Sequence, residues 1–329
     1  MLTREEYHSH DRQPFQQPNQ TPQRPPHYFH RSHHSKIWYL VLIIIIAVCA
    51  FYLVEGIDSA KTFNRESYTP QNQSTTAQSQ IDNHQPISVL MMGTDTGALG
   101  RHARGRTDTM IINSINPAKQ TMSLTSIPRD APAHYNNMLT KINSVYTLGG
   151  ANQAAHYVQT WLGIPINYYM IINMGGLDKI IDKVGGVTVD PPLTFKYGAA
   201  NVKKHQKVNL SGMQALDYCR MRHQDPLGDY GRQIRQRQVL FQLFDKLCQI
   251  HNLALHPSIA NSLSDNMKTN LSVKDLMTLA LFYRKANRHH VSSHLQGHTE
   301  MLEGQDFEVI SPHEKAKEAR LINNNLTNN

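Results

Sequence analysis

The 329-residue sequence predicts an α/β layered fold held behind one membrane-spanning helix. Three observations carry this. From residue 87 onward, short β-branched apolar runs alternate with segments of helical period, the signature of strands interleaved with helices. Residues 37–54, IWYLVLIIIIAVCAFYLV, form an uncharged apolar run. The stretches flanking that run are rich in Gln, Ser, Asn and Pro, and hold too little apolar surface to offset the entropy of folding.

Residues 1–36 therefore read as a disordered tail. Its histidines, His8, His10, His27, His30, His33 and His34, are irregularly spaced and read as low-complexity solvation rather than metal ligands. As a helix, residues 37–54 would cover about 27 Å of a hydrocarbon layer roughly 30 Å thick. Arg31 and Lys36 precede the span while Glu55 and Asp58 follow it, which puts the N-terminus in the cytoplasm and everything after residue 54 outside. The long leading region and the lack of a small-x-small cleavage site favour an uncleaved anchor over a signal peptide. Residues 55–86 read as a flexible linker, and residues 87–325 as the folded domain.

Within that domain, ISVLMMG, TMIINSIN and TMSLTSIP read as strands, the last two joined by the turn NPAKQ. ANQAAHYVQTWL is helical, YYMIINM a strand, GGLDKIIDKV a helix and GGVTVD a short strand. LDYCRMR alternates Arg220 and Arg222 with apolar residues, and as a strand would project both arginines from one face. A long helix runs from Gly228 to about residue 250. Another lies in LSVKDLMTLALFYRKA, where Ser272 and Asp275 make a capping box. FEVI reads as a strand and SPHEKAKEARL as a helix opened by Ser311 with Pro312 at its first position. The last Asn-rich residues read as free. Cys219 and Cys248 are the only possible intrachain pair outside the apolar run, and they read as free thiols.

The net charge of +8 points to acidic partners. The location of the arginines narrows the class. On a helix through GDYGRQIRQRQVLFQLFDKL, the buried stripe of Val239, Leu240, Leu243, Phe244 and Leu247 projects back onto Arg232 and Gln236. Arg235 falls at its margin, and Arg237 outside it on the solvated side. Unpaired charge is costly to bury, so this end of the helix should line an anion pocket. Arg220 and Arg222 would converge on it, and guanidinium groups pair bidentately with phosphate oxygens. The competing arrangement pairs these arginines with the local acids Asp217, Asp225 and Asp229. Asp95 follows the first strand, Arg106 and Asp108 precede the second, and Arg129 and Asp130 follow the third. Carboxylates so placed suit Mg²⁺ held by one or two protein ligands with substrate phosphate. No Walker A loop, GxGxxG, zinc spacing or Ser-His-Asp order is present, so phosphate chemistry fits better than acyl or hydride transfer.

The residues GTD, GRTDTM, SIPRD, KIN, the glycine pair before a helix, GGVTVD, LSGMQALDYCRMR and GDYGRQIRQRQ resemble, in order and spacing, the LytR-CpsA-Psr family of cell-wall enzymes. The resemblance implies a central mixed sheet flanked by helices, with an apolar lipid channel. It also implies a membrane-anchored phosphotransferase moving a teichoic acid or capsular polymer from undecaprenyl-pyrophosphate onto peptidoglycan in a Gram-positive envelope. The pyrophosphate-binding positions implied are Arg106, Arg129, Arg220, Arg222, Arg232, Arg235 and Gln236. The Mg²⁺-associated acids implied are Asp95 and Asp108. Where relatives carry Arg soon after the first Asp, this chain reads TDTGALGR, leaving Arg101 or Arg104 as substitutes. Asp108 or Asp130 would accept the attacking hydroxyl's proton, and Lys141 or Asn143 of KIN would reach the rim or support the loop. A polyprenyl-pyrophosphate hydrolase or lipid-carrier binder would use the same pocket. A DNA-binding regulator would need its arginine helix exposed and cytoplasmic, so no nucleic-acid partner is expected.

Overall fold

The computed structural model describes residues 75–94, 105–249, 266–283, 286 and 289–328. Helix α1 (Thr75–Asp82) leads into strand β1 (Ile87–Thr94), followed by β2 (Thr107–Asn116) and β3 (Thr121–Ser126). A small hairpin of β4 (Pro132–Tyr135) and β5 (Met138–Lys141) runs directly into α2 (Ile142–Leu162). Next come β6 (Tyr168–Asn173), α3 (Met174–Lys183), β7 (Val187–Val189), β8 (Phe195–Tyr197), β9 (Ala200–Val202) and β10 (Val208–Leu210). Helices α4 (Gly212–Arg220) and α5 (Gly228–Gln249) follow. The chain then adds β11 (Met267–Thr269), α6 (Val273–Phe282), β12 (His289–His294), β13 (His298–Leu302), β14 (Gln305–Val309) and α7 (Pro312–Leu326).

Six strands make the central sheet in the order β11-β6-β1-β2-β3-β12. β1 is antiparallel to β2 and parallel to β6, and β3 is antiparallel to β2 and parallel to β12, so the sheet is mixed, as the family resemblance implies. Side chains alternate across a strand, and both faces here are apolar because both are covered. Leu90, Met92, Met110, Ile112, Tyr169 and Ile171 pack with residues of α2 and α7. Val89, Met91, Ile111, Ile115, Tyr168 and Met170 pack with α1 and α6. A third cluster joins α3, α4 and α5 to the short strands β7–β10. The glycine pair read before a helix has a definite job: Gly150 takes φ 82°, a left-handed conformation that breaks α2 after its first turns.

Four sequence expectations are corrected. LDYCRMR is not a strand: residues 212–220 are helical, because Ser211 and Gln214 form a reciprocal capping box that starts α4. The end of the expected linker is folded, not flexible: α1 (Thr75–Asp82) buries Ala77 and Ile81, and Gln78 Nε2 donates to Asp275 Oδ1 at 3.0 Å. The Asn-rich end is tied down, since α7 continues to Leu326 and the buried Asn325 Nδ2 donates to the Ser114 carbonyl at 2.8 Å. Arg237, placed on the solvated side, is buried and donates to Ser126 Oγ. Among the described residues no helix is long and apolar enough to cross a membrane; the span at residues 37–54 lies outside them.

Candidate functional site

The C-terminal end of β1, the N-terminal end of β2 and the loop after β3 meet the first turns of α5. Pairing of β1 with β2 is regular until Gly93 opposes Thr109 and Thr94 opposes Thr107, which leaves Asp108 as an extra residue in β2. This is a β-bulge, a device that bends a strand and releases one residue from the ladder. Asp108 thereby offers both its carboxylate and its main-chain carbonyl to neighbours. The loop after β3 is fixed by backbone bonds from Ile127 N to Met110 O (2.8 Å) and from Asn143 N to Arg129 O (3.3 Å). KIN is therefore loop support at Asn143.

From these frames the charged side chains form one connected cluster. Arg129 Nη1 donates to Asp108 Oδ1 at 2.6 Å. Its Nε lies 3.5 Å from Asp130 Oδ2 and 3.8 Å from Asp229 Oδ1. Asp229, in the first turn of α5, places Oδ1 2.9 Å from Arg232 Nη2, the i,i+3 neighbour. The same Nη2 donates to the bulged Asp108 carbonyl at 3.1 Å. Lys141 Nζ stands 2.9 Å from Asp130 Oδ1.

Among the described residues, two guanidinium nitrogens in this cluster, Arg129 Nε and Arg232 Nε, are buried without a hydrogen bond. Burial lowers the Arg232 pKa, with Asp229 opposing and the positive Arg129 and Arg222 reinforcing the fall. Burial also acts to lower that of Arg129, but Asp108, Asp229 and Asp130 outweigh it and hold it above the usual value. Both remain cations. The arrangement has charged donors left over at a buried location, which is what an oxyanion needs.

Behind the cluster an apolar pocket opens between the sheet and the helices, lined by Met91, Ile111, Ile172, Leu177, Val239 and Leu240 among others. Gln236, one turn beyond Arg232, reaches this lining, as does Thr109 beside the bulge. The helical projection of α5 thus runs as expected for Arg232 and Gln236, from a charged mouth into an apolar interior.

The other predicted residues separate. Arg106 is exposed just before β2, and Arg222 is half-buried after α4. Arg220 lies 3.9 Å from Asp217. Arg235 is fully buried and fully engaged: Nη1 pairs with Asp225, Nε donates to Tyr218 O at 3.0 Å and Nη2 to Met221 O. It fastens α5 to α4, and an anion would have to break that set to reach it. Of the competing pairing of Arg220 and Arg222 with local acids, Arg220 reaches Asp217, while Asp225 is taken by Arg235 and Asp229 by Arg232 and Arg129. Asp95, Arg101 and Arg104 lie outside the described residues. Asp229 joins Arg129 and Arg232; the sequence reading places it only among the local salt-bridge partners, although its i,i+3 spacing to Arg232 points to this contact.

Asp108 is the described carboxylate that would hold Mg²⁺, and its Oδ1 already accepts from Arg129 at 2.6 Å. Among the described residues no group of three or more His, Cys, Asp or Glu gathers to hold a metal ion, and Mg²⁺ is ordinarily held by one or two carboxylates, with phosphate and water completing its shell.

The LytR_cpsA_psr family model matches residues 51–322. A teichoic acid transferase of Enterococcus faecalis, polyisoprenyl-teichoic acid–peptidoglycan teichoic acid transferase TagU, is 35% identical over 292 residues, covering 88% of this chain and 96% of that protein. The crystal structure of a protein called a transcriptional regulator from the same organism superposes with a TM-score of 0.65 at 34% identity, covering 75% of this chain and 89% of that one. The crystal structure of B. subtilis TagU gives a TM-score of 0.60 at 28% identity, covering 74% and 98%.

Proposed function

The chain belongs to the LytR-CpsA-Psr family, and on that premise we propose that it transfers a glycopolymer from a polyisoprenyl-pyrophosphate carrier onto peptidoglycan. The observation that carries the reading is the junction at Arg232 and Gln236. There a charged mouth, where the Nε atoms of Arg129 and Arg232 are buried without a hydrogen bond, opens onto an apolar pocket, which matches a ligand that is anionic at one end and hydrocarbon at the other. The name of the Enterococcus faecalis structure suggests a second reading, a nucleic-acid binder. The geometry disfavours it, because Arg232, Arg235 and Arg237 are 6%, 0% and 6% exposed and offer no surface to DNA.

In this proposal the polyisoprenyl chain lies against Met91, Ile111, Leu177 and Val239. Arg129 and Arg232 hold the pyrophosphate, with Arg222, Arg220 and Arg106 at its outer side. A peptidoglycan hydroxyl attacks the phosphorus that bears the sugar; the new P–O bond forms as the bridging P–O bond breaks, and lipid monophosphate departs. The hydroxyl proton passes to a rim carboxylate, Asp108 or Asp130. Both are oriented by Arg129, and Asp130 by Lys141 as well. Asp108 and Asp95 would hold Mg²⁺, which supplies charge neutralisation at the phosphates. Such transfers ask mainly for positioning and electrostatic stabilisation, and the arginines supply these. We place the domain outside the cytoplasmic membrane, anchored by residues 37–54.

The test is transfer of a labelled lipid-linked polymer to insoluble peptidoglycan by the wild type and by Arg232→Ala. We expect the variant to lose transfer at least a hundredfold while still folding, the scale seen when one such electrostatic donor is removed. A fully active Arg232→Ala protein would sink the assignment. Soluble phosphate products without wall label would instead mark a hydrolase.

A further inference from the structure

The strands β8 and β9 and the segment leading to β10 form a small lobe with an unusual charge pattern. Its sequence, FKYGAANVKKHQKV over residues 195–208, contains Lys196, Lys203, Lys204, His205 and Lys207 and no acid. All four lysines are exposed. Among the described residues none of the four forms an ion pair; of the carboxylates at this lobe, Asp190 stands 3.6 Å from His205 Nδ1 and Asp217 accepts from the Ala199 backbone. Tyr197 is 40% exposed in their midst. The inner face needs no lysines to hold together, since Phe195, Ala200 and Val202 are buried in the cluster with α4 and α5.

This lobe is continuous with the site. Ala199 N donates to Asp217 Oδ2 at 2.8 Å, and Oδ1 of the same carboxylate lies 3.9 Å from Arg220 Nη1. Gln224 Nε2 donates to the Lys196 carbonyl at 3.3 Å, from the segment that joins Arg222 to the start of α5. The lobe that carries the lysines therefore adjoins the segment that carries Arg220 and Arg222. Like charges gathered on one lobe repel one another, and a polyanion lying across them relieves that repulsion.

We propose that the lysine lobe is the docking track for the polymer part of the donor, a chain of polyol or sugar units joined by phosphodiesters, with Tyr197 packed against one unit. The inference rests on the transferase reading and adds to it a surface and a charge preference. An anionic membrane would also attract lysines, but it would not require continuity with Arg220 and Arg222.

The experiment compares the full chain with the variant carrying Lys196→Gln, Lys203→Gln, Lys204→Gln and Lys207→Gln. Two donors are used: polyisoprenyl pyrophosphate bearing a phosphodiester-repeat polymer, and the same lipid bearing an uncharged glycan. For the charged donor the KM should rise roughly tenfold with kcat retained, and its dependence on salt should flatten, as loss of several screened charge contacts requires. The uncharged donor should be unaffected. Equal change with both donors, or no change with either, overturns the proposal. So does a variant that loses binding to phosphatidylglycerol vesicles while its KM for the charged donor stays the same. The Arg232→Ala control separates the two layers: if it still transfers both donors, the transferase reading itself fails, whatever the lysines do.

Discussion

Removing the Asp225 carboxylate should unfold this protein at a much lower temperature without touching the phosphate site. Arg235 has no solvent to fall back on, since its side chain is 0% exposed and its partner Asp225 4%. The space for that carboxylate exists because residue 231 is glycine: a Cβ there would stand 1.9 Å from Asp225 Oδ2. Asp225→Ala leaves a buried guanidinium with the carbonyls of Tyr218 and Met221 and the Phe195 and Tyr218 rings but no counter-charge. Breaking one side of a buried pair costs about 3–5 kcal/mol. At roughly 2–4 °C per kcal/mol for a domain of this size, the Tm should fall by about 6–20 °C. Thermal unfolding followed by circular dichroism reads this directly. The double variant Asp225→Leu with Arg235→Met should recover most of the loss, because apolar replacement of a whole buried pair is often neutral or stabilising. A Tm drop under about 2 °C for Asp225→Ala would refute the anchoring role. So would an Arg235→Met protein that keeps its Tm yet loses pyrophosphate binding, and Arg235 would then return to the anion site.

Two further outcomes follow from the same buried chemistry. Burial pushes the Cys219 thiol up to about 12, so in a background lacking Cys49 and Cys248 it should resist iodoacetamide at pH 8 until the protein is denatured. The sign for stability is that the unfolded thiol ionises first, so this group's contribution is intact below the unfolded value and is lost as pH rises toward the folded one; Tm against pH in the alkaline range checks it. Asn325→Ala removes the donor to Ser114 O and should destabilise by about 1–3 kcal/mol, measured by urea denaturation, whereas removal of a free tail would change nothing.

The sheet was legible because its strands carry β-branched apolar runs broken by turn residues, and α5 because its apolar stripe has a clean helical period. Arg232 and Gln236 followed from that period alone. Arg237 and Arg235 did not, because the projection assumes one buried side, whereas the first turns of α5 are covered by β3 at Ser126 and by the Asp225 turn as well. The alternation of Arg220 and Arg222 suggested a strand, yet the capping signal at Ser211 and Gln214 was present in the same stretch and wins, since it satisfies orphan backbone groups at a helix start. Helix α1 escaped because its only aliphatic residues, Ala77 and Ile81, sit amid Thr, Gln and Ser. Asp108 could be named as an acid near a strand end, but its bulge is a property of pairing between two strands and has no signature within one.

That bulge makes the site sensitive to counting rather than to composition. Because β2 spends two residues where β1 spends one, the frame of Met110, Ile111 and Ile112 in the core is set independently of the frame in which Asp108 meets Arg129 and Arg232. Substitutions in the apolar part of β2 can be absorbed by repacking. Deleting a single residue between Thr107 and Thr109 cannot, for it would restore an even ladder and leave one carbonyl and one carboxylate fewer at the mouth, while the hydrophobic layers beneath stayed in register. Such a deletion should yield a folded sheet with no functioning cluster, so that stability and chemistry part company at one position in the chain.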